Sequence, residues 1–128
     1  MIKQEDVRVL ILEKDAAVID SVKDILSNGS YALHVLSSFS EAVSLLKSEG
    51  FQIALVGTTL ETDSPFEGLV DLVKASPLTS IILLSDLPEA EIHKKAEGCG
   101  ILGHVPRNVP PEDLNHLLYR FKQITGLL

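Results

Sequence analysis

The chain is 128 residues long, one domain's worth, and a chain of this size buries roughly two-thirds of the surface its unfolded form exposes without staples. A 45% hydrophobic share with no repeat or low-complexity tract excludes disordered and fibrous classes, and the single Cys99 excludes an internal disulfide. A net charge of -7 without a basic stripe argues against nucleic acid, no apolar run reaches membrane-spanning length, and the opening MIKQED lacks a signal peptide's apolar stretch, so a cytoplasmic location is expected.

Val7 to Leu12, VRVLIL, is nearly all apolar and partly β-branched, which predicts a buried strand stopping at Glu13, Lys14 and Asp15. Asp15 reads as the cap of a helix whose inner face is Val18, Ile19, Val22, Ile25 and Leu26, ended by Asn28 and Gly29 in left-handed geometry. Tyr31 to Leu36 is the second strand. Ser38 with Glu41 is a capping-box pattern for a helix through Ala42, Val43, Leu45 and Leu46 that stops at Gly50. The stretch Phe51 to Leu60, FQIALVGTTL, holds the third strand. Ile53 to Val56 shows no polar alternation, so both faces should be covered, as in the central strand of a parallel sheet. Chemistry in such sheets gathers just past the carboxyl ends of the strands, which here means at or beside Gly57.

A polar, acidic loop follows through Thr58, Thr59, Glu61, Thr62 and Asp63. Ser64, Pro65 and Glu67 supply a cap, a first-turn proline and a third-position acid, predicting a helix whose buried face is Leu69, Val70 and Val73 and which ends before Pro77. Ile81 to Leu84 is a fourth apolar strand finishing at Ser85 and Asp86. Pro88 and Glu89 open a weakly anchored helix to Glu97, Ile101 to Val105 is the fifth strand, and Pro106 to Pro111 leads to a last helix with Leu114, Leu117, Leu118, Phe121 and Ile124 inward. Five strands alternating with five helices imply right-handed crossovers and a parallel sheet between two helix layers.

In this order, VRVLILEKD, FQIALVGTTL, EGLVDLV with Gly68, IILLSD and HVPRNVPPEDL resemble the receiver domain of two-component response regulators. The resemblance covers nearly the whole chain, with a core of about residues 7 to 123 in one domain spanning 1–128, and implies a flavodoxin-like (βα)5 three-layer sandwich of strand order 2-1-3-4-5. Receivers accept a phosphoryl group on an Asp after the third strand. They use Mg²⁺ held by an acidic pair after the first strand, a hydroxyl after the fourth and a Lys after the fifth. Carried over, these positions are Gly57 for the nucleophile, Glu13 and Lys14 for the acidic pair, Ser85 for the hydroxyl and Arg107 for the Lys. Asp86 takes the place of a small residue and would repel an incoming phosphoryl group, and Asn108 replaces a Pro whose preceding bond is usually cis. His104 stands where receivers carry an aromatic switch residue.

The resemblance therefore implies a degenerate receiver, with no catalytic residue, metal or cofactor of its own. Its partner would be a protein, or a second copy, meeting a surface of the fourth helix, fifth strand and fifth helix that carries Lys94, Lys95 and Arg120. Two other readings stand beside it. One is a working receiver with an atypical acceptor such as Asp86, Thr58 or Thr59. The other is a small-molecule binder on the same fold, against which the charges of Glu13 and Asp15 count. His34, His93, His104 and His116 lack metal-ligand spacing, and Gly98, Gly100 and Gly103 spell G-x-G-x-x-G before a strand, the wrong place for a pyrophosphate loop.

Overall fold

The computed structural model describes residues 7–126; the MIKQED stretch and the last two residues lie outside them. The elements run β1 (Val7–Leu12), α1 (Ala16–Leu26), β2 (Tyr31–Leu36), α2 (Phe39–Ser48), β3 (Ile53–Val56), α3 (Leu69–Ala75), β4 (Ser80–Leu84), α4 (Glu89–Lys95), β5 (Gly103–Val105) and α5 (Pro111–Thr125). All strand pairs are parallel and the sheet order is β2-β1-β3-β4-β5, as the alternation and the resemblance lead one to expect.

Alternate side chains of each strand supply two cores. Val9, Ile11, Ile53, Leu55, Ile82, Leu84 and Val105 face α1 and α5, meeting Val18, Val22 and Leu26 on one and Leu114, Leu117, Leu118 and Phe121 on the other. Leu10, Leu12, Ala54, Val56, Ile81 and Leu83 face α2, α3 and α4. Every residue of β3 is buried, which is why its sequence shows no polar alternation. Pairing of Leu12 with Val56 and Val56 with Leu83 levels the strand ends, so Glu13, Gly57 and the residues after Leu84 emerge side by side.

Several local expectations need correcting. The helix after the acidic loop begins at Leu69, not at Ser64, because Gly68 interrupts the chain with φ 85. Ser64 instead accepts from the Phe66 amide through its hydroxyl and from the Glu67 amide through its carbonyl, so the capping residues close a turn. Gly68 also lies against Phe39, whose ring atoms a Cβ would overlap. On α3 Leu69 and Leu72 are buried and Val73 packs partly buried against the same core, whereas Val70 is exposed; on α5, Ile124 is exposed as well. Helix α1 ends at Ser27 in right-handed geometry, without the left-handed residue expected at Asn28 or Gly29. Strand β5 starts at Gly103, although the Leu102 amide already donates to Ile81.

Capping of α2 combines an expected and an unexpected partner. Ser38 Oγ accepts from the Glu41 amide at 3.3 Å, as the capping box requires. The remaining free amides of that turn, on Phe39 and Ser40, donate to the Glu61 carboxylate at 2.9 and 3.2 Å, so the loop after β3 is tied to α2. These bonds, with Ser38 Oγ, hold the Glu61 carboxyl below its usual range, the Phe39 amide being the chief cause.

Helix α4 is short, and Ile92 is its one buried side chain. Ile92→Ala should therefore cost about 3 kcal/mol in urea unfolding and raise hydrogen exchange in α4 more than in the rest of the sheet.

Candidate functional site

Glu13 follows the last residue of β1 and is fully buried. A carboxylate cannot be taken out of water without compensation, and here the compensation is complete. Oε1 accepts from the Thr58 amide at 3.0 Å and Arg107 Nη1 at 2.9 Å. Oε2 accepts from the Lys14 and Asp15 amides at 3.1 and 3.0 Å, from Arg107 Nη2 at 2.9 Å, and from the Thr58 hydroxyl in a short bond. Arg107 thus meets Glu13 fork to fork, the planar geometry a lysine cannot reproduce.

The pair occupies space that Gly57, having no side chain, leaves open. A Cβ on this buried glycine would overlap Glu13 Oε1 and stand 3.0 Å from Arg107 Nη1. The ion pair therefore fills the space into which a side chain at position 57 would project. Backbone bonds fix the arrangement: the Gly57 amide donates to Leu12 and the Lys14 amide to Thr58, stitching the ends of β1 and β3. From the other side, the Arg107 amide donates to Asp86 Oδ1 at 2.9 Å, anchoring the segment after β5 to the end of β4.

Burial pushes the Glu13 carboxyl up. The Arg107 guanidinium, the Thr58 hydroxyl and the Asp15 and Thr58 amides together outweigh it, so the group lies below the ordinary glutamate range. Arg107 is held charged by the same pair, with Asp15 and Asp86 adding to the negative surroundings.

Of the expected site residues, the fold brings together Glu13, Gly57, Asp86 and Arg107. Ser85 is buried beside them, its hydroxyl accepting from the Leu87 amide at 3.2 Å. Lys14 sends its ammonium to Asp63 at 2.6 Å, so it is Arg107 that neutralises Glu13. Asp63, Ser64, Phe66, Ser85, Asp86, Lys95 and Arg107 border a cleft of about 340 Å³. The donor set does not fit Mg²⁺: both Glu13 oxygens are occupied by hydrogen-bond donors and a guanidinium lies between the carboxylate and the cleft.

The interface candidates separate. His104 and Arg120 line a groove of about 570 Å³ between α4 and α5, with Glu89, His93, Glu97 and Leu117. Lys95 faces the other way, its ammonium 5.9 Å from the centre of the Phe66 ring, and Lys94 is exposed outside the groove. Two contributors carried no such sequence signal: Thr58 as a double donor to Glu13, and Glu61 as the cap of a helix preceding it.

No protein-family model and no curated protein matches the chain. Solved structures do. A CheY-like response regulator receiver domain protein from Methanospirillum hungatei is 22% identical with a TM-score of 0.79, over 98% of this chain and 100% of that one. The signal receiver domain of an HD domain-containing protein from Pseudomonas fluorescens is 19% identical with a TM-score of 0.81, over 98% and 93%. The chemotaxis protein CheY4 of Vibrio cholerae is 19% identical with a TM-score of 0.76, over 91% and 98%. At these identities the likeness establishes the fold: a CheY-like, flavodoxin-like sandwich with five parallel strands in the order 2-1-3-4-5.

Because the Glu13 carboxyl is lowered in the folded chain, its stabilisation is present above its unfolded pKa and is lost as pH falls through the folded one. Glu13→Gln should cost about 2 to 4 kcal/mol at pH 7, and its deficit against the native chain should shrink from about pH 4.5 downward, as measured by urea unfolding across pH.

Proposed function

We propose that this chain is a receiver-like signalling module of a two-component type pathway, acting through protein contacts in the cytoplasm and accepting no phosphoryl group. The observation that carries this reading is the Glu13–Arg107 pair standing in the space of the missing side chain at Gly57. An acceptor needs a carboxylate there, an oxygen-lined cation site beside it and an approach for the phosphoryl group. Gly57 offers no nucleophile, the acidic ligand is held by a guanidinium, and the Asp86 carboxylate lies at the entrance.

In this reading the module signals through the groove beside α4. Helix α4 is held by Ile92, and the groove beside it has an apolar floor containing Ile101, Leu102 and Leu117. Glu89, Glu97, His104 and Arg120 supply charged and polar groups that a protein partner or a second copy can match.

Incubation with acetyl phosphate and Mg²⁺, read by intact mass, should give no phosphoryl adduct; a stoichiometric adduct on Asp86, Thr58 or any other residue overturns the proposal in favour of an atypical acceptor. Gly57→Asp alone should remain unmodified, because its carboxylate would have to displace Glu13. Restoration should require Lys14→Asp, Asp86→Ala and Arg107→Lys in addition, which together supply an acidic pair, an approach and a compact cation.

For the surface, Arg120→Glu should weaken association measured by sedimentation or partner capture, whereas Lys94→Glu, outside the groove, should not. Equal effects of the two would move the contact to another face.

A further inference from the structure

The turn between α1 and β2 carries a reactive dipeptide. Asn28 precedes Gly29, and residues 27–30 are all exposed. The helix closes at Ser27 in right-handed geometry, so neither Asn28 nor Gly29 is locked in a left-handed cap. The Gly29 amide donates to Leu26 at 3.2 Å and the Asn28 amide to Ile25 at 3.4 Å, both at the long end of the hydrogen-bond range and at a helix end, where the ladder opens most readily. The Asn28 side chain borders an open groove with Tyr31, Asn115, Tyr119 and Lys122, which gives its amide room to turn onto the following backbone nitrogen. That nitrogen belongs to a residue with no side chain to crowd the approach, and packing keeps it so, because a Cβ on Gly29 would stand 2.6 Å from the Tyr31 ring.

The chain has two other asparagines, and both are better protected. Asn108 precedes Val109, whose β-branched side chain is buried and whose amide donates to Pro106 at 2.9 Å. Asn115 lies inside α5, where the next amide belongs to the helical ladder.

We propose that Asn28 is a self-modification site: in the folded chain it cyclises onto Gly29, loses ammonia and leaves a carboxylate at the end of α1. The Gly29 nitrogen gives its proton to solvent base and attacks Asn28 Cγ. An N–Cγ bond forms, the Cγ–Nδ2 bond breaks, and ammonia departs. Water then opens the cyclic imide at either carbonyl, giving an aspartyl or an isoaspartyl linkage, with no oxidation and no reactant besides water. The new charge stands at the negative end of the helix dipole, in the groove where the Lys122 ammonium lies 5.8 Å from the centre of the Tyr31 ring. The isoaspartyl form also routes the main chain through an extra carbon, between the buried Leu26 and the first residue of β2. Because the loss of ammonia is one-way, the modified fraction records how long the folded chain has spent in water.

Prolonged incubation in mildly alkaline buffer, read by intact mass and peptide mapping, tests it. The folded chain should gain about 1 Da at Asn28, faster than at Asn108 or Asn115 by about tenfold or more. Part of the product should accept a methyl group from S-adenosylmethionine through a protein isoaspartyl methyltransferase; a mass gain without any methyl acceptance overturns the imide route. Asn28→Gln, an exposed change whose ring closure is slower, should fold as before and lose most of the gain. A parallel sample in urea separates the turn from the bare dipeptide, since the folded rate should stay within about tenfold of the unfolded one. Reaction confined to the unfolded chain, an equal rate at either other asparagine, or an undiminished gain in Asn28→Gln overturns the proposal.

Discussion

A buried carboxylate must be neutralised and fully hydrogen-bonded, and Glu13 imposes that requirement on everything around it. It recruits the guanidinium of Arg107 from the far side of the sheet, two amides from its own turn, and the amide and hydroxyl of Thr58. Gly57 leaves room for this arrangement, since a side chain there would have to shift the Glu13 carboxylate. Three strand ends are thereby joined by one charge pair: β1 through Glu13, β3 through Gly57 and Thr58, and β5 through Arg107. Asp86 adds β4 by accepting the Arg107 amide. The electrostatic work that a divalent ion could do at such a strand-end cluster is performed here by a covalently tethered cation.

The fold was legible because its information is local and periodic. Fully apolar strands, the Ser38 cap and the inward leucines of α5 can be read within a few residues of each other. Errors arose where one residue overrides a pattern. Ser64, Pro65 and Glu67 have the composition of a helix start, yet Gly68 with φ 85 delays the helix by several residues. Val70 and Ile124 fit an apolar period but lie at the margins of helix faces, where period alone does not decide burial. The site was half legible: the strand-end rule led to Gly57 and the resemblance to Glu13, Lys14, Ser85, Asp86 and Arg107, but neither gave their pairing or the part of Thr58. Lys14 and Arg107 are both cations near Glu13 in the topology, and only the side-chain paths, one to Asp63 and one across the cleft, distinguish them.

Likeness of fold and likeness of site diverge in this molecule. The sheet order and nearly all of the chain superpose on receiver domains at TM-scores of 0.76 to 0.81, with identities of 19 to 22%. Those figures describe the scaffold, and scaffolds of this kind host many functions. What this chain does at its carboxyl edge depends on residues that the scaffold does not dictate: the glycine at 57, the arginine at 107 and the acid at 86.

The bond from Glu61 to the first turn of α2 changes the character of the connection between β3 and α3. By length and polarity that connection is the natural place to open the chain or to graft an insert. Yet it carries the carboxylate that satisfies amides of an earlier helix, and Leu60 adds a backbone bond to Ser37. Cutting there would unseat the beginning of α2 along with the loop. The shorter connection between β4 and α4, residues 85–88, is tied as well, since Asp86 accepts the Arg107 amide and Pro88 accepts the first amides of α4. The longest connection of the molecule thus belongs to its framework, the reverse of what segment length suggests.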